Sequence, residues 1–323
     1  MSLGEFDLIA RYFVRPTPRA VLGPGDDCAL LAPRPGMQLA VSSDMLVEGR
    51  HFLPTVAPRR LGHKALAVNL SDLAACGAAP RACLLALALP VADAAWLEGF
   101  AAGFHALADA HGCELVGGDT TAGPLNLCVT VIGELPAGAA LLRSGARPGD
   151  EVWVSHAPGH GVGDARLALE AFRGCVALEG GAFERVRRAM EQPEPRVALG
   201  LALRGVASAA VDVSDGLLGD LGHVLQRAGV GATVDADAVP RSADLAAQPL
   251  DLQRLCTLAG GDDYELVFTA PEAAAPAVRA AAVQAGVAAS RIGRIEAAPG
   301  LRVVDGRGQA LEGAWASFDH FRR

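Results

Sequence analysis

The chain has 323 residues, of which 51% are hydrophobic and 20% charged, and its 28 basic against 36 acidic side chains give a formal charge of −8. This length exceeds what one hydrophobic core usually serves, so we expect two globular domains of the α/β or α+β class instead of a disordered or coiled-coil chain. Because no run is rich in Lys or Arg, a nucleic-acid-binding surface is excluded, and an anionic ligand would need metal ions or a few placed arginines.

The chain begins with a predicted helix and a predicted β-hairpin. The stretch GEFDLIARYF has helical spacing and places Phe6, Ile9 and Phe13 on one stripe. The apolar runs CALLAP and LAVSSD, separated by the turn-rich PRPGMQ, predict two strands that fold back on each other. The first two strands are thus predicted to pair within this hairpin.

Helices and strands alternate after the hairpin. Over residues 58–76 the spacing of Leu66, Leu70 and Leu73 predicts a helix that ends at Gly77. A strand, a second helix and two further strands follow, in the stretches RACLLALALP, DAAWLEGFAAGFHALADAHG, CELVGGD and LCVTVIGEL.

Gly and Pro residues in LLRSGARPGD separate two strongly patterned regions, so we place a domain boundary near residues 138–150. The first domain would span residues 1–140 and the second residues 141–323. The second contains predicted strands in DEVWVS, SAAVDVS, GATVDA and DYELVFTA and predicted helices in DARLALEAF and DGLLGDLGHVLQRAG. Strands alternating with helices in both halves again indicate an α/β or α+β fold.

The sequence predicts a cytoplasmic protein without a membrane partner. The N-terminal MSLGEFDLIARYF has acids among its apolar residues and lacks the apolar core of a signal peptide, and no stretch approaches 18 uninterrupted apolar residues. The seven cysteines form no C-x-x-C pair and most lie in apolar runs, which is typical of buried free thiols in a reducing compartment.

Acidic residues recur beside Gly or Ser where a strand or helix begins or ends. In the first hairpin, a turn centred between Pro35 and Gly36 would set Asp27 opposite Asp44. Two like charges that face each other destabilise a sheet unless a cation lies between them. We therefore interpret this pair as a candidate cation site.

The predicted helix at 58–76 adds oxygen donors. Asn69 and Asp72 are i, i+3 neighbours on one face, and Asp72 lies at the rim of the buried stripe. Donors of this kind suit Mg²⁺, which takes a few carboxylates and leaves positions for water and phosphate. His156 and His160 are separated by Pro-Gly, which forbids the helix that would align them for a softer metal.

In the second half a predicted strand runs directly into a helix at Ser214 to Gly216. Unpaired N–H groups and the helix dipole at such a start favour an anion, whereas Asp212 and Asp215 would repel a bare phosphate. A metal-bound phosphate resolves this conflict. Because the sequence has no Walker A motif, protein-kinase motif set, strand-linked G-x-G-x-x-G or G-x-S-x-G, a phosphate-handling protein of this kind would rely on metals.

An ordered set of motifs runs through nearly the whole chain, namely GEFDLIARYF, GDDCALL, VSSDMLVEGRHF, KALAVNLSDLAACGA, GGDTT, RSGARPGD, VDVSDGLLGDLGH, GGDDYEL and a terminal W…FDHF. Gly-Gly-Asp alone is unspecific, but the ordered set closely resembles the thiamine-monophosphate kinase family, a branch of the aminoimidazole ribonucleotide synthetase-like superfamily. The resemblance implies ATP-dependent phosphorylation of thiamine phosphate to thiamine diphosphate, the last step of thiamine diphosphate biosynthesis. It also implies a two-domain α/β (α+β) fold, a homodimer whose N-terminal sheets combine, and an ATP and Mg²⁺ site between the domains.

The resemblance assigns roles to residues by position. Metal ligands, directly or through water, would be Asp27, Ser42, Ser43, Asp44, Asp72, Asp119, Asp212 and Asp215. The nucleotide would be held by Gly118, Asp119, Arg143 and Ser214. The thiamine phosphate pocket would be lined by His51, Asp262 and Trp315. Catalysis through several Mg²⁺ ions would rest on Asp44, Asp72, Asp119 and Asp212.

The implied reaction needs alignment and charge neutralisation more than a covalent protein partner. We expect in-line attack by a phosphate oxygen of thiamine phosphate on the γ-phosphorus of ATP, without a phosphoenzyme and without a general base, because the attacking phosphate is already deprotonated. Arg143 would supply positive charge, with a surface ion pair as its alternative role. Trp315 would stack on the cationic thiazolium and Asp262 would balance its charge, with core packing as the alternative role of Trp315.

The sequence departs from the family at two of these positions. Ser43 stands where the family usually has Thr, which keeps a hydroxyl or backbone carbonyl. Asp262 stands where the family has Glu, so its side chain is one methylene shorter and reaches the substrate either directly or through water. The loop SHAPGHGVGDA also differs from the family and receives no role.

Alternative functions stay open at this point. Aminoimidazole ribonucleotide synthetase is the nearest rival enzyme, disfavoured by EGRHF and the Trp315 segment. Selenophosphate synthetase would need a reactive Cys or selenocysteine with Lys before Cys28, and the hydrogenase-maturation relative would end in Cys where this chain ends in Arg322 and Arg323. A catalytically idle nucleotide-binding regulator would lack a metal carboxylate, whereas the expected set is complete.

Overall fold

The computed structural model describes residues 4–313 and 315, and the chain divides into two compact units. The first unit contains the chain up to Leu73 together with Ala78–Gly138. The second contains Ala74–Gly77 together with the chain from Ala139 onward. In the described part of the chain, no helix is both long enough and apolar enough to cross a membrane.

The first unit is built on a four-stranded sheet with the order β1-β4-β2-β3. Its elements in chain order are α1 Glu5–Tyr12, β1 Met37–Val47, α2 Pro58–Cys76, β2 Ala79–Leu89, α3 Ala94–His111, β3 Glu114–Ala122 and β4 Asn126–Pro136. Strands β2 and β3 run parallel, and the other neighbours are antiparallel. The predicted helix over residues 58–76 is confirmed, and the chain leaves it through Gly77 with a φ of 70°.

The predicted hairpin is wrong, because β1 pairs with β4 along its whole length. Asp44 lies opposite Val129, and Asp27 lies in no named strand. The segment before β1 forms only isolated bridges, such as Leu22 with Leu30. Pro24 lacks a backbone N–H and cannot complete a ladder there, whereas β4 offers a full-length partner.

Helix α1 does not bury the whole of its predicted stripe. Phe6 is 81% exposed, whereas Leu8 and Tyr12 are buried. The Tyr12 hydroxyl donates to the Ala94 carbonyl oxygen at 3.2 Å, so the buried face of the helix is the one that meets the start of α3. Phe13, from the same stripe, is buried as predicted.

The two long helices of the first unit touch backbone to backbone. A Cβ on Gly103 of α3 would lie 1.8 Å from the Arg59 carbonyl oxygen of α2, and one on Gly62 of α2 would lie 2.0 Å from the Phe100 carbonyl oxygen. Such distances leave no room for any side chain, so glycine at both positions sets how closely the helices approach. Phe100 and Phe104 are fully buried within this contact region of α3.

The second unit is built on a six-stranded sheet with the order β10-β7-β9-β5-β8-β6. Its strands are β5 Glu151–His156, β6 Ala209–Asp212, β7 Gly231–Asp235, β8 Leu266–Ala270, β9 Ala288–Glu296 and β10 Gly300–Val304. Its helices are α4 Asp164–Phe172, α5 Gly180–Glu191, α6 Val197–Leu203, α7 Leu217–Ala228, α8 Ala243–Ala246, α9 Leu250–Ala259 and α10 Ala275–Gln284. Neighbouring strands are antiparallel except the parallel pair β10 and β7, so the α/β (α+β) class is confirmed.

We predict that Gly103→Ala lowers the free energy of unfolding by at least about 2 kcal/mol, because the added methyl group forces the two helices apart. Urea unfolding followed by circular dichroism measures the change. Gly222→Ala in α7 is the matched control, since a Cβ there meets nothing within 4 Å and Ala is a better helix former by about 1 kcal/mol. Equal effects of the two substitutions would contradict the close approach.

Candidate functional site

Asn69 ties helix α2 to strand β1. Its Oδ1 accepts the backbone N–H of Asp44 at 3.0 Å, and its Nδ2 donates to the Ala65 carbonyl oxygen at 3.1 Å. Asn69 is only 1% exposed, so both hydrogen bonds lie in the interior. The contact fixes the backbone that carries Asp44 against the helix that carries Asp72.

Ser42 and Asp72 meet directly, because the Ser42 hydroxyl donates a short hydrogen bond to Asp72 Oδ2. Side chains alternate along a strand, so Asp44 lies on the same face of β1 as Ser42, and Ser43 lies on the opposite face. The Ser43 Oγ is 2.9 Å from Thr130 Oγ1 on β4. The structure thus groups Ser42, Asp44 and Asp72. The Ser43 side chain points away from this face, so Ser43 could contribute to a site there only through its backbone carbonyl.

His51 is held in one tautomer by the turn that follows β1. Its Nδ1 accepts the Val47 backbone N–H at 3.0 Å, and its own backbone N–H donates to the Val47 carbonyl oxygen at 3.0 Å. A ring nitrogen that accepts a hydrogen bond carries no proton, so the proton of the neutral ring is on Nε2. His51 therefore presents an N–H donor beside the end of β1.

A cavity of about 540 Å³ in the first unit gathers three other predicted residues, Asp27, Gly118 and Asp119. A Cβ on Gly118 would lie 1.9 Å from the Leu85 carbonyl oxygen, so only glycine lets β3 pass this close to β2 beside Asp119. Asp26 also lines the cavity and accepts the Asp27 backbone N–H at 2.9 Å. Asp27 thus shares a cavity with Asp119 and does not pair with Asp44 across a hairpin.

In the second unit the predicted anion site at Ser214 to Gly216 is already filled by the protein. The Oδ2 atom of Asp220 accepts the backbone N–H groups of Ser214, Asp215 and Gly216 at 3.1, 3.0 and 3.0 Å. The prediction that these N–H groups await a phosphate is therefore wrong. The sequence pattern located the convergent N–H groups, but the carboxylate that occupies them is supplied from the first turn of α7.

The pKa of Asp220 is raised to about 7, chiefly by burial and also by the nearby Asp215 carboxylate, although the three N–H groups act in the opposite direction. Asp212, at the end of β6, is also buried. Three acids thus lie within nine residues of sequence around the loop after β6, and two of them, Asp212 and Asp220, are buried.

The GGDDYEL segment lies against the same loop. The Asp262 N–H donates to the Ser214 carbonyl oxygen at 2.8 Å, and the Tyr264 N–H donates to the Val213 carbonyl oxygen at 2.9 Å. Asp262 and Tyr264 have φ angles of 71° and 52°, a conformation that costs on the order of 1 kcal/mol or more and persists only where the surroundings hold it. The predicted substrate residue Asp262 is therefore joined to the predicted nucleotide residue Ser214.

Asp263, between these two residues, turns inward. Both of its carboxylate oxygens accept the Gly163 N–H, at 2.9 and 3.1 Å, and burial raises its pKa. Gly163 belongs to the SHAPGHGVGDA loop, which received no role from the sequence. That loop is thus anchored to the segment that carries Asp262.

Arg143 and Trp315 lie in the second unit. Arg143 opens a short 3₁₀ turn, Arg143–Gly145, which packs on β6 and α7, the two elements that flank Ser214. Trp315 packs against the apolar core of this unit, and its Nε1 is enclosed without a hydrogen-bond acceptor among the described residues. Core packing, the alternative role of Trp315, is thus present in the structure.

No group of three or more His, Cys, Asp or Glu side chains among residues 4–313 and 315 is arranged to hold a metal ion. The donors at the predicted positions are carboxylate and hydroxyl oxygens, without Cys or His, which is the chemistry that Mg²⁺ prefers. The residues therefore fit Mg²⁺ by type, and the metal set stays a prediction.

Asn69 in the first unit and Asp220 and Asp263 in the second hold the backbone near predicted site residues, and the sequence did not predict these contacts. A signal existed for Asp220, because an acid in the first turn of a helix is placed to accept N–H groups from the loop before it. Asn69 was noted only as a neighbour of Asp72. The partner of Asp263 lies 100 residues away, so no local pattern points to it.

Two family models match the chain in tandem. The model described as AIR synthase related protein, N-terminal domain, matches residues 25–135, and the corresponding C-terminal domain model matches residues 147–306. Together they cover most of both units.

The chain is similar to thiamine-monophosphate kinases. It is 46% identical over 327 aligned residues to the thiamine-monophosphate kinase of Salmonella typhimurium, which covers 99% of both chains. The crystal structure of thiamine-monophosphate kinase from Stenotrophomonas maltophilia K279a matches with a TM-score of 0.84 and 46% identity, covering 96% of this chain and 99% of that one. AaThiL complexed with AMPPCP and TMP matches with a TM-score of 0.76 and 29% identity, covering 90% and 89%.

Proposed function

We propose, from the premise that this chain belongs to the thiamine-monophosphate kinase family of AIR synthase related proteins, that it transfers the γ-phosphate of ATP to thiamine phosphate and forms thiamine diphosphate. The observation that carries the proposal is the 46% identity to a relative of that activity over 99% of both chains. A structural relative that holds AMPPCP, an ATP analogue, together with TMP supports the choice of both substrates.

The reaction is an in-line phosphoryl transfer. A phosphate oxygen of thiamine phosphate attacks the γ-phosphorus, the bond from that phosphorus to the β,γ-bridging oxygen breaks, and ADP leaves with the electron pair. Several Mg²⁺ ions, when bound, neutralise the phosphate charges and hold the two substrates in line. The attacking phosphate is an anion at neutral pH, so the protein supplies position and charge balance and does not need to remove a proton.

The acids of the first unit would hold the metal ions. Asp72 and Asp44 lie on facing surfaces of α2 and β1, and the Ser42 hydroxyl that now bonds Asp72 can turn toward a cation when one arrives. Asp27 and Asp119 share the 540 Å³ cavity with Gly118, which supports a role of that cavity in binding the nucleotide and its metals.

In the second unit we assign Asp212 and Asp215 to metal binding, and Arg143 and Ser214 to the nucleotide. Because the N–H groups of Ser214, Asp215 and Gly216 already donate to Asp220, they are not available to a nucleotide phosphate. Such a phosphate has to be bound by side chains and metal ions. This occupancy supports a metal-dependent mechanism, since the loop offers a phosphate more negative than positive charge.

His51, Asp262 and Trp315 are proposed to line the thiamine phosphate pocket. The Nε2–H of His51 is a donor suited to a phosphate oxygen, and Asp262 carries a charge opposite to that of the thiazolium ring. The backbone N–H of Asp262 donates to the Ser214 carbonyl oxygen, which fixes the backbone position of this residue. The Asp262 side chain is shorter than the family Glu and extends from that fixed position.

We also propose a homodimer formed through the sheet of the first unit. Ser43, Thr130 and Leu84 are partners across three neighbouring strands and therefore share one face. On this face of the edge strand β1, Val41 is 64% and Met45 56% exposed. An open apolar sheet face of this kind is stabilised by a second copy of the same face.

The cytoplasm is the proposed location. All seven cysteines are free thiols as predicted, although only Cys83, Cys113 and Cys256 are buried. Cys28 and Cys175 are exposed, and exposed free thiols persist where the surroundings are reducing.

The purified protein should release ADP from Mg·ATP only when thiamine phosphate is added, with one thiamine diphosphate formed per ADP. Parallel reactions contain ATP alone or formylglycinamidine ribonucleotide. ADP release that is independent of thiamine phosphate would refute the proposal. Release that depends on formylglycinamidine ribonucleotide would assign the chain to aminoimidazole ribonucleotide synthesis, and binding of ATP without turnover would indicate a regulator.

Asp44→Asn should lower kcat at least about 100-fold, above the range expected for a residue that only supports a metal ligand. The fold should be retained, because asparagine has nearly the same size as aspartate and the bond from Asn69 is made to the backbone of residue 44. Steady-state ADP release and the thermal unfolding midpoint measure the two effects. Asp109→Asn, a surface acid paired with Arg15, is the matched control and should leave both unchanged. Near-normal turnover of Asp44→Asn would remove Asp44 from the metal site.

Val41→Glu should convert the protein from dimer to monomer in analytical ultracentrifugation, because burying the new carboxylate between two apolar sheets is unfavourable. Val91→Glu is the control, since Val91 is 71% exposed but lies in the turn after β2. Unchanged mass of Val41→Glu, or dissociation of both variants, would contradict this interface.

A further inference from the structure

Asp220 binds three consecutive backbone N–H groups with a single carboxylate oxygen. These groups belong to Ser214, Asp215 and Gly216, which precede α7, whereas Asp220 lies in the first turn of the helix itself. The residue is only 3% exposed. It therefore closes the loop from inside, in a place that water does not reach.

Three N–H groups that converge on one point form the kind of concave site that binds phosphate in other proteins. Here the carboxylate of Asp220 takes that position. An external anion is excluded because the carboxylate occupies the position, and the backbone of residues 214–216 is held by a contact within the protein itself. The loop is thus preorganised by an internal carboxylate.

The outer side of this loop carries the residues that the proposed function uses. The Ser214 carbonyl oxygen accepts the Asp262 N–H at 2.8 Å, and the Val213 carbonyl oxygen accepts the Tyr264 N–H at 2.9 Å. Asp262 has a positive φ, so its conformation depends on this attachment. A shift of the loop would consequently move Asp215, Ser214 and Asp262 together.

We propose that Asp220 is a positioning residue that sets the nucleotide-binding and substrate-binding residues of the second unit at the same time. Its direct partners are the backbone N–H groups of Ser214, Asp215 and Gly216, and it acts on Asp262 through the Ser214 carbonyl. The proposal rests on the proposed function for the identity of the two ligands. It assigns to Asp220 no contact with either of them.

The test compares Asp220→Ala, Asp220→Asn and Asp237→Ala. Alanine leaves three buried N–H groups without an acceptor, whereas asparagine keeps an oxygen there without its charge. Asp237 is the control, because it also accepts a backbone N–H, from Gly306 at 3.0 Å, and bonds Arg254, but does not touch the loop. Its loss tests the effect of a lower stability alone.

We expect Asp220→Ala to raise KM for ATP and for thiamine phosphate together, each by about 10-fold or more, with a smaller fall in kcat. Asp220→Asn should raise both KM values by about 3-fold, because a neutral acceptor binds N–H groups more weakly than a charged one. Asp237→Ala should leave both KM values unchanged. A lower stability alone would not raise both KM values in Asp220→Ala and raise them less in Asp220→Asn.

Unchanged KM values in Asp220→Ala, or the same change in Asp237→Ala, would overturn the proposal. If Asp220→Ala does not fold, Asp220→Asn decides, and wild-type KM values in that variant would overturn it. If the wild-type protein has no thiamine phosphate-dependent turnover, the proposed function fails by itself. Calorimetric binding of Mg·ATP then tests Asp220, with an about 10-fold weaker Kd expected for the alanine variant and an unchanged Kd contradicting the inference.

Discussion

Repulsion between neighbouring carboxylates is the constraint on which the arrangement of both units depends. The chain has a formal charge of −8, and half of its predicted site residues are acids. Hydrogen-bond donors of the protein hold many of these acids before any cation is bound. The Ser42 hydroxyl bonds Asp72, three backbone N–H groups bond Asp220, and one bonds both oxygens of Asp263. Hydrogen bonds within the protein therefore shape these acidic loops before any cation is bound.

Acids of the second unit fall into two groups with different physical roles. Asp220 and Asp263 bond only backbone N–H groups in the contacts described above, and burial raises the pKa of both. Their carboxylates accept hydrogen bonds that fix the loop after β6 and the loop after β5. Asp215 and Asp262 lie on the segments that are fixed in this way. The carboxylates that shape these loops are thus separate from those that we propose to bind ligands.

Features with a local cause could be predicted from the sequence, and features set by distant partners could not. Helix α2 followed from the spacing of three leucines and from Gly77, because helix periodicity and capping are local. The prediction of the hairpin was wrong because strand pairing depends on all the strands of the unit. Strand β4 offers β1 a full-length partner, whereas the segment before β1 is short. The family resemblance predicted site positions but not side-chain directions. It therefore did not reveal that the side chains of Ser42 and Ser43 lie on opposite faces of β1. The anion position before α7 was recognised, but its occupant was not, because the convergence of three N–H groups depends on a turn that no motif specifies.

The pairing of β1 with β4 has a consequence for the growing chain. Strand β1 is complete at Val47, but β4, its neighbour in the described sheet, begins at Asn126, after α2, β2, α3 and β3 have been synthesised. During that interval β1 is an unpaired strand with apolar residues on both sides of its centre, which is the kind of segment that associates between nascent chains. Ser42, Ser43 and Asp44 interrupt it at that centre, and polar or charged residues in this position act as gatekeepers against aggregation. The residues proposed to receive magnesium in the finished protein thus also protect the strand while it waits for its partner.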